Sequence, residues 1–332
     1  MVPGPTVSFR SAMNDDPTFP ALRIAAVIPC FNEALAIGQV IEEFGRVLPE
    51  ATVHVFDNNS SDDTAGVARA AGATVTQVPL RGKGNVARRM FADVEADVYV
   101  MVDGDATYDL AEVRRLIETL IDGNLDMVVG YRIDSGAEAQ TYRAGHRFGN
   151  RMLTAAVARL FGGQLTDMLS GYRVFSRRYA KSFPAVSEGF EIETELTVHA
   201  LELRMPFAEL PVHYRPRPEG SHSKLSTYRD GWKILKTIWR LFISERPLLF
   251  FSWIAYLLAI GSAIGAVPLA ITYMETGLVP RLPTAVLLTG TMLSAMLAFV
   301  CGIVLHTVTI GRQEAKRLRY LSMPGVRHRA DP

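Results

Sequence analysis

Two stretches near the C-terminus, Leu248–Met274 and Thr284–Ile310, contain no Asp, Glu, Lys or Arg. Each runs for about 27 residues, which as a helix crosses the ~30 Å hydrocarbon core of a bilayer with some tilt. In lipid every backbone donor and acceptor needs a partner inside the segment, so a helix is the form open to such a run. Only Glu275 and Arg281 carry charge between the two stretches. Arg240 and Arg246 precede the pair, and Arg312, Lys316, Arg317, Arg319, Arg327 and Arg329 follow it. The positive-inside rule therefore predicts a transmembrane hairpin with both flanks in the cytoplasm and a short external turn. Pro268 falls within the first span, where membrane helices tolerate proline. Two buried core helices are the competing reading.

The rest of the 332-residue chain has a different character. Net charge is +1, so no bulk electrostatic attraction draws it to nucleic acid. Its two cysteines, Cys30 and Cys301, are distant and differently placed, and suggest neither a disulfide framework nor a metal site. The seven histidines form no ligand-spaced cluster. Residues 1–22 hold Pro3, Pro5, Pro17 and Pro20 with no periodicity, which predicts a flexible tail. They show no basic segment followed by an apolar run, so the polar part of the chain is expected in the cytosol.

From Arg23 onward, strand and helix patterns alternate. Ile24–Ile28, Thr52–Phe56, Val75–Val78, Val98–Val102 and Met127–Gly130 read as strands. Ile37–Val47, a segment from Ser61/Asp62 to Ala71, one from about Gly84, and Leu110–Ile121 read as helices. This order predicts an α/β fold with a doubly wound, mostly parallel sheet. His146–Phe161 and Gly189–Leu203 look helical, and Phe207–Tyr214 looks like an edge strand ended by Arg215-Pro216-Arg217-Pro218. Tyr228–Ser244 mixes Trp232, Ile234, Leu235, Ile238, Trp239 and Phe242 with Arg229, Lys233, Lys236 and Arg240. Placed just before the apolar runs, it predicts an amphipathic helix lying in the membrane interface. The expected organisation is a tail over 1–22, a soluble domain over 23–226, the interfacial helix over 227–247, the hairpin over 248–310 and a basic cytoplasmic tail over 311–332.

Val98–Val102 leads directly into Asp103-Gly104-Asp105. A buried strand thus delivers two carboxylates to its C-terminal end, where open α/β sheets place their ligands. Carboxylates this close repel unless a cation lies beside them, and hard oxygen ligands suit Mg2+ or Mn2+, often shared with substrate phosphates. Gly82-Lys83-Gly84 lets backbone pass close to a ligand with a cation at hand, although a plain turn is a live alternative. It is no Walker A loop, since the Gly-x-x-x-x-Gly-Lys-Ser/Thr spacing is absent.

Ile28-Pro29-Cys30-Phe31-Asn32-Glu33, Asp57-Asn58-Asn59-Ser60-Ser61-Asp62-Asp63-Thr64, Gly82-Lys83-Gly84, Asp103-Gly104-Asp105 and Ser170-Gly171-Tyr172-Arg173 occur in that order. The ordered set resembles a family 2 glycosyltransferase with the GT-A fold. With the hairpin, the chain resembles the polyprenyl-phosphate, dolichol-phosphate-mannose-synthase-like branch. The resemblance implies transfer of a sugar from a nucleotide sugar, with inversion, to polyprenyl phosphate, in support of cell envelope glycan synthesis. It implies Asp103 and Asp105 as metal ligands; Thr107 stands where similar mannose synthases carry a third ligand, a glutamine. That departure favours a UDP-sugar over GDP-mannose.

The resemblance also implies that Asp57 contacts the nucleotide base, and that Pro29 and Glu33 flank base and ribose. As a purely local feature, Asp57 would cap the following turn. Ser170 resembles a residue lining the sugar pocket. Lys224, in Ser223-Lys224-Leu225, resembles a loop cation closing over the donor diphosphate, with a solvated surface charge as the alternative. Arg132 resembles an arginine holding the acceptor phosphate. Arg147 is the candidate for a second such arginine, with Arg143 and Arg151 as rivals. Glu191 and Glu195 share a helix face with Glu193 roughly opposite; at least one is a candidate to hold sugar hydroxyls, unless Arg173, Arg177 or Arg178 pairs with them. Partners expected are the nucleotide sugar, the lipid phosphate and the membrane, with a second copy of the chain as a further candidate. Three further readings compete. One is transfer to a glycolipid or lipid-linked oligosaccharide hydroxyl, with Glu191 or Glu193 as base; another is a non-catalytic membrane scaffold. The third is a processive polysaccharide synthase, which only two spans and the lack of a Gln-x-x-Arg-Trp motif disfavour.

Overall fold

The computed structural model describes residues 19, 22–134, 144–162, 165–218 and 227–326. Seven strands form one sheet: β1 (Ile24–Cys30), β2 (Thr52–Asp57), β3 (Thr74–Gln77), β4 (Val98–Met101), β5 (Met127–Asp134), β6 (Arg173–Ser176) and β7 (Phe207–Tyr214), in the spatial order β3-β2-β1-β4-β6-β5-β7. β1 pairs in parallel with β2 and β4, β2 with β3, and β5 with β7. β6 runs antiparallel between β4 and β5. The mostly parallel, doubly wound expectation holds, with β6 as an added strand.

β1 is apolar almost throughout because both faces of the sheet are covered. Alternate side chains serve opposite layers: Ile24, Ala26 and Ile28 pack on one side, Ala25 and Val27 on the other. The first layer holds α1 (Ile37–Val47), α2 (Thr64–Ala70) and α4 (Val113–Asp122). The second holds α3 (Lys83–Asp93), α6 (Arg177–Ser182) and α7 (Ile192–Leu203). α1 shows why a helix forms here. Ile37, Val40, Ile41 and Phe44 recur at helical spacing and are all buried, at about 1.5–3 kcal/mol for each fully buried large apolar side chain.

α5 (Ala144–Phe161) and α8 (Thr227–Glu245) pack with α7 in a third apolar cluster, through Leu153, Val157, Val198, Ile234 and Ile238. α8 is apolar on two sides: Ile234 and Ile238 face inward, while Trp232, Leu235 and Trp239 stand exposed among Lys236 and Arg240. α9 (Pro247–Thr276) and α10 (Leu282–Leu321) form the antiparallel hairpin, and both are long and apolar enough to cross a membrane. Their side chains are mostly exposed, Leu257 by 64% and Leu287 by 69%, unlike those of buried core helices. Ser262 Oγ donates to the Leu288 carbonyl at 2.9 Å between them. α10 continues past the apolar run, so residues 311–321 are helix where a basic tail was expected.

Candidate active site

A cavity of about 330 Å³ opens at the C-terminal ends of the parallel strands. Pro29, Phe31 and Glu33 come from the end of β1 and the loop after it, Asn58 follows β2, and Arg81–Lys83 lead into α3. Asp103–Asp105 follow β4, Arg132 comes from β5, and Tyr214 and Arg217 come from the end of β7 and beyond. Leu169, Phe190 and Ile234 of α8 add an apolar wall.

The Asp-Gly-Asp loop is packed tightly. A side chain at Gly104 would collide with Cys30 Sγ, so the loop lies directly over the end of β1. Gly82 and Gly84 are pressed against the carbonyls of Glu188 and Ser187 in the same way. Gly84 N–H donates to the Glu188 carbonyl at 3.0 Å. That approach brings Lys83 between two carboxylates: Nζ lies 2.5 Å from Asp103 Oδ1 and 2.6 Å from Glu193 Oε1. Burial alone lowers the Lys83 pKa, but the two carboxylates outweigh it and the net shift is upward, so the ammonium stays charged. Burial raises the Glu193 carboxyl, with Lys83 opposing.

Asp105 is buried, and burial together with the Asp103 charge raises its pKa against the pull of Arg217. Arg217 Nη2 lies 2.5 Å from Asp105 Oδ2. The Thr107 hydroxyl donates to Asp105 Oδ1 at 2.6 Å, so this side chain holds the aspartate in place. Asp103 and Asp105 fit a divalent cation, being hard oxygen donors whose mutual repulsion a cation would relieve. Among the described residues no group of three or more His, Cys, Asp or Glu is assembled for a metal. An ion here would take its other ligands from substrate oxygens and water.

Arg132 Nε and Nη2 form a two-point pair with Asp167, at 2.7 and 2.9 Å, and its guanidinium stands 5.6 Å from the centroid of the Tyr214 ring. Asp167 is itself held by Glu209, which accepts from the backbone N–H groups of Thr166 and Asp167 at 2.8 and 3.4 Å. The guanidinium is therefore fixed at the pocket wall.

The pocket thus collects Pro29, Glu33, Lys83, Asp103, Asp105 and Arg132 of the expected residues. Three others lie elsewhere. Ser170 is fully buried, its hydroxyl donating to the Gly130 carbonyl at 2.5 Å, and it does not line the cavity. Its neighbours explain the motif. Gly171 has no room for a side chain beside the Asp103 carboxylate. Arg173 is a buried guanidinium bonded to the carbonyls of Met168, Ser170 and Glu193 and to the Thr197 hydroxyl. Ser170-Gly171-Tyr172-Arg173 is a brace between β5, the Asp103 loop and α7. Asp57 is buried beside the pocket, accepting from the Ser60 amide and hydroxyl; the lining residue there is Asn58. Asn58 holds the loop before α3 by donating to Leu80 O at 2.7 Å and accepting from Gly82 N at 2.6 Å.

Glu191 is the N-cap residue of α7 and accepts from Gly189 N at 3.1 Å, away from the cavity; Glu193 is the glutamate that faces it. Glu195 accepts from Val186 N and Ser187 N, at 2.8 and 2.7 Å. Arg177 and Arg178 pair with Glu95 and Asp126 instead of these glutamates. Lys224, Arg143 and the side chains of Arg147 and Arg151 lie outside the described residues. Of the three candidate glutamates, Glu193 is the one the cavity takes in; Arg217 was absent from the expected set. The Arg-Pro-Arg-Pro run after β7 was the signal for Arg217, since charged residues held by prolines at a strand end mark a fixed loop.

The model for "Glycosyl transferase family 2" matches residues 25–183. "Glycosyltransferase AglJ" of Haloferax volcanii is 33% identical over 234 residues, 70% of this chain and 76% of the relative. A "Dolichyl-phosphate hexose transferase" of the same organism is 28% identical over 223 residues, 67% of this chain and 95% of the relative. Among solved structures, the glucosyl-3-phosphoglycerate synthase of Mycobacterium tuberculosis in complex with Mn2+ and UDP-glucose is similar at a TM-score of 0.52. It is 25% identical, and the match covers 65% of this chain and 79% of that one. A mostly parallel sheet, paired aspartates at the end of β4 and a relative matched over most of its length agree: the chain belongs to glycosyltransferase family 2.

Proposed function

We propose that the protein transfers a hexose-type sugar, with inversion, from a nucleotide sugar to polyprenyl phosphate at the cytoplasmic membrane face. A UDP-sugar is the favoured donor. The observation that carries this reading is Ile234. A residue of the helix that leads into the hairpin lines the same cavity as Asp103, Asp105 and Arg132. A charged pocket walled by the membrane-proximal helix suits an acceptor with an ionic head and an apolar tail. The dolichyl-phosphate relative supports the acceptor, and the UDP-glucose complex of the solved neighbour supports the donor.

A phosphate acceptor needs no general base. Its second pKa is about 6, so near neutral pH it is largely dianionic. One of its oxygens forms the bond to the anomeric carbon, and the nucleoside diphosphate leaves with the electron pair of the broken bond. The protein's part is positioning and charge. Arg132, braced by Asp167 and Tyr214, holds the acceptor phosphate, with Arg147 as second arginine. Lys83 and Arg217 face the charge that develops on the leaving diphosphate, and Lys224 closes over it. Glu33 and Pro29 take the nucleoside end, and Glu193 the sugar hydroxyls. A divalent ion held by Asp103 and Asp105, when bound, supplies further neutralisation of the diphosphate.

The second reading is a glycolipid hydroxyl acceptor, which needs a general base. Glu193 favours it, as a cavity carboxylate whose proton affinity burial raises. The test is full-length protein in vesicles with polyprenyl phosphate, Mn2+ and labelled UDP- and GDP-sugars. Label moving from a UDP-hexose into a mild-acid-labile lipid, and lost with Asp105→Ala, is the expected result. A mild-acid-stable glycolipid product would move the assignment to the second reading, and no transfer from any donor would remove both.

A further inference from the structure

α10 does not end at the membrane boundary. Thr309, Gln313, Lys316 and Tyr320 follow at steps of four, three and four, which puts them on one helix face. These residues are at least partly buried, whereas Arg317, Leu318, Arg319 and Leu321 are exposed. The inward face meets the end of α8 first and the soluble domain beyond it.

The contacts are specific. Thr309 Oγ1 donates to the Ser244 carbonyl at 3.0 Å, and Arg312 Nη2 lies 2.9 Å from Glu245 Oε1 at the end of α8. Lys316 Nζ reaches both oxygens of Glu202, at 2.8 and 3.1 Å, and stands 3.8 Å from Glu245. The Tyr320 hydroxyl donates to Asp126 Oδ2 at 2.7 Å, and its ring lies under the Arg178 guanidinium at 4.8 Å. Glu202 and Glu245 side chains are only 5% and 6% exposed and Lys316 17%, so the Lys316–Glu202 pair lies in a largely dry junction where losing one partner is costly, whereas Arg312 reaches Glu245 from the solvent side. Burial and Glu245 raise the Glu202 carboxyl, with Lys316 opposing.

Glu202 sits near the C-terminal end of α7, and Glu193 sits in its first turn. Nine residues of helix separate them by about 13 Å. One rod therefore has its first end in the catalytic cavity, through Lys83, and its last end bound to the helix that leaves the membrane. We infer that the cytoplasmic continuation of α10 is a clamp that sets the height and tilt of the active site over the bilayer, with Lys316 as its central positioning residue. The clamp rests on the reading that the acceptor phosphate lies in the membrane.

The test uses the full chain in vesicles, with Lys316→Glu and with the charge swap Lys316→Glu/Glu202→Lys. Two acceptors are compared: a long-chain polyprenyl phosphate in the bilayer, and a short, water-soluble prenyl phosphate. Misplacement of the site is expected to lower transfer to the bilayer acceptor about ten- to a hundredfold in Lys316→Glu. Transfer to the soluble acceptor should change by less than about twofold, and the swap should restore most of the loss. Equal loss on both acceptors, or no rescue by the swap, overturns the clamp. Hydrogen exchange of α7 and of residues 311–321 in the same vesicles gives a reading that needs no acceptor. It should quicken in Lys316→Glu and recover in the swap, and unchanged exchange overturns the clamp. Wild-type protein inactive on both phosphates removes the acceptor reading, and the exchange measurement then decides the clamp alone.

Discussion

Arg217 lies 2.5 Å from Asp105 Oδ2 and 3.9 Å from Glu33 Oε1, so a guanidinium ties the segment after β7 to the loop after β4. A metal ion reaching Asp105 has to displace that guanidinium or share the carboxylate with it. Arg217→Ala should therefore lower the thermal midpoint in chelator, since a buried carboxylate loses its partner. The partial exposure of Arg217 keeps the cost to about 1–3 kcal/mol. Mn2+ should then raise the midpoint more in the variant than in the wild type, because binding no longer competes with the pair. An equal Mn2+ response in both proteins would show that Arg217 and the ion do not compete.

Arg132 is held at two points by Asp167. Arg132→Ala should raise KM for the lipid phosphate about tenfold or more, and KM for the donor much less. Arg132→Lys should rescue little, since an ammonium cannot reproduce the planar two-point pair. A larger effect on donor KM in steady-state kinetics would reassign Arg132 to the diphosphate.

His199, on α7, is 2% exposed, with Nε2 3.2 Å from Ser182 Oγ and its ring edge-on to Tyr179 and Phe183. Burial, helped by the Lys316 charge, pushes its pKa down to about 3. The unfolded chain takes up this proton near pH 6.5 and the folded one does not, so acidification below 6.5 favours unfolding until the folded pKa is reached. At pH 5 the group costs about 2 kcal/mol relative to pH 7 or above. His199→Gln should flatten the loss of thermal stability between pH 7 and pH 5, and a variant as acid-sensitive as the wild type would refute the assignment.

Ser170 is a brace whose hydroxyl bonds the Gly130 carbonyl. Ser170→Ala should cost about 1–3 kcal/mol of stability and leave donor KM within about twofold. A marked rise in donor KM with unchanged stability would return Ser170 to the sugar pocket.

The strand–helix alternation is readable because burial imposes its periodicity, as in β1 and α1, and the two spans are readable because each is a charge-free run long enough to cross a bilayer. β6 is not readable. It is four residues long, opens with an arginine, and exists because β4 and β5 flank it. The glutamates show a second limit. Helical spacing groups Glu191 with Glu195, but Glu191 is the cap and starts the helix, so Glu193 alone turns to the cavity. Ser170 and Arg173 show a third, since polar residues that support a site are as prominent in sequence as those that line it. Lys83, Asp103 and Asp105 were readable as cavity residues because the strand–helix order puts the segments that follow parallel strands at one end of the sheet.

Ile234 belongs to α8, the helix that leads into the apolar hairpin, and yet forms part of the cavity wall. A soluble fragment cut before α8 would keep the aspartates and lose that wall. Inhibitors selected against such a fragment would meet a wider, more polar opening than the full chain offers, and compounds that need the apolar side would be discarded unseen.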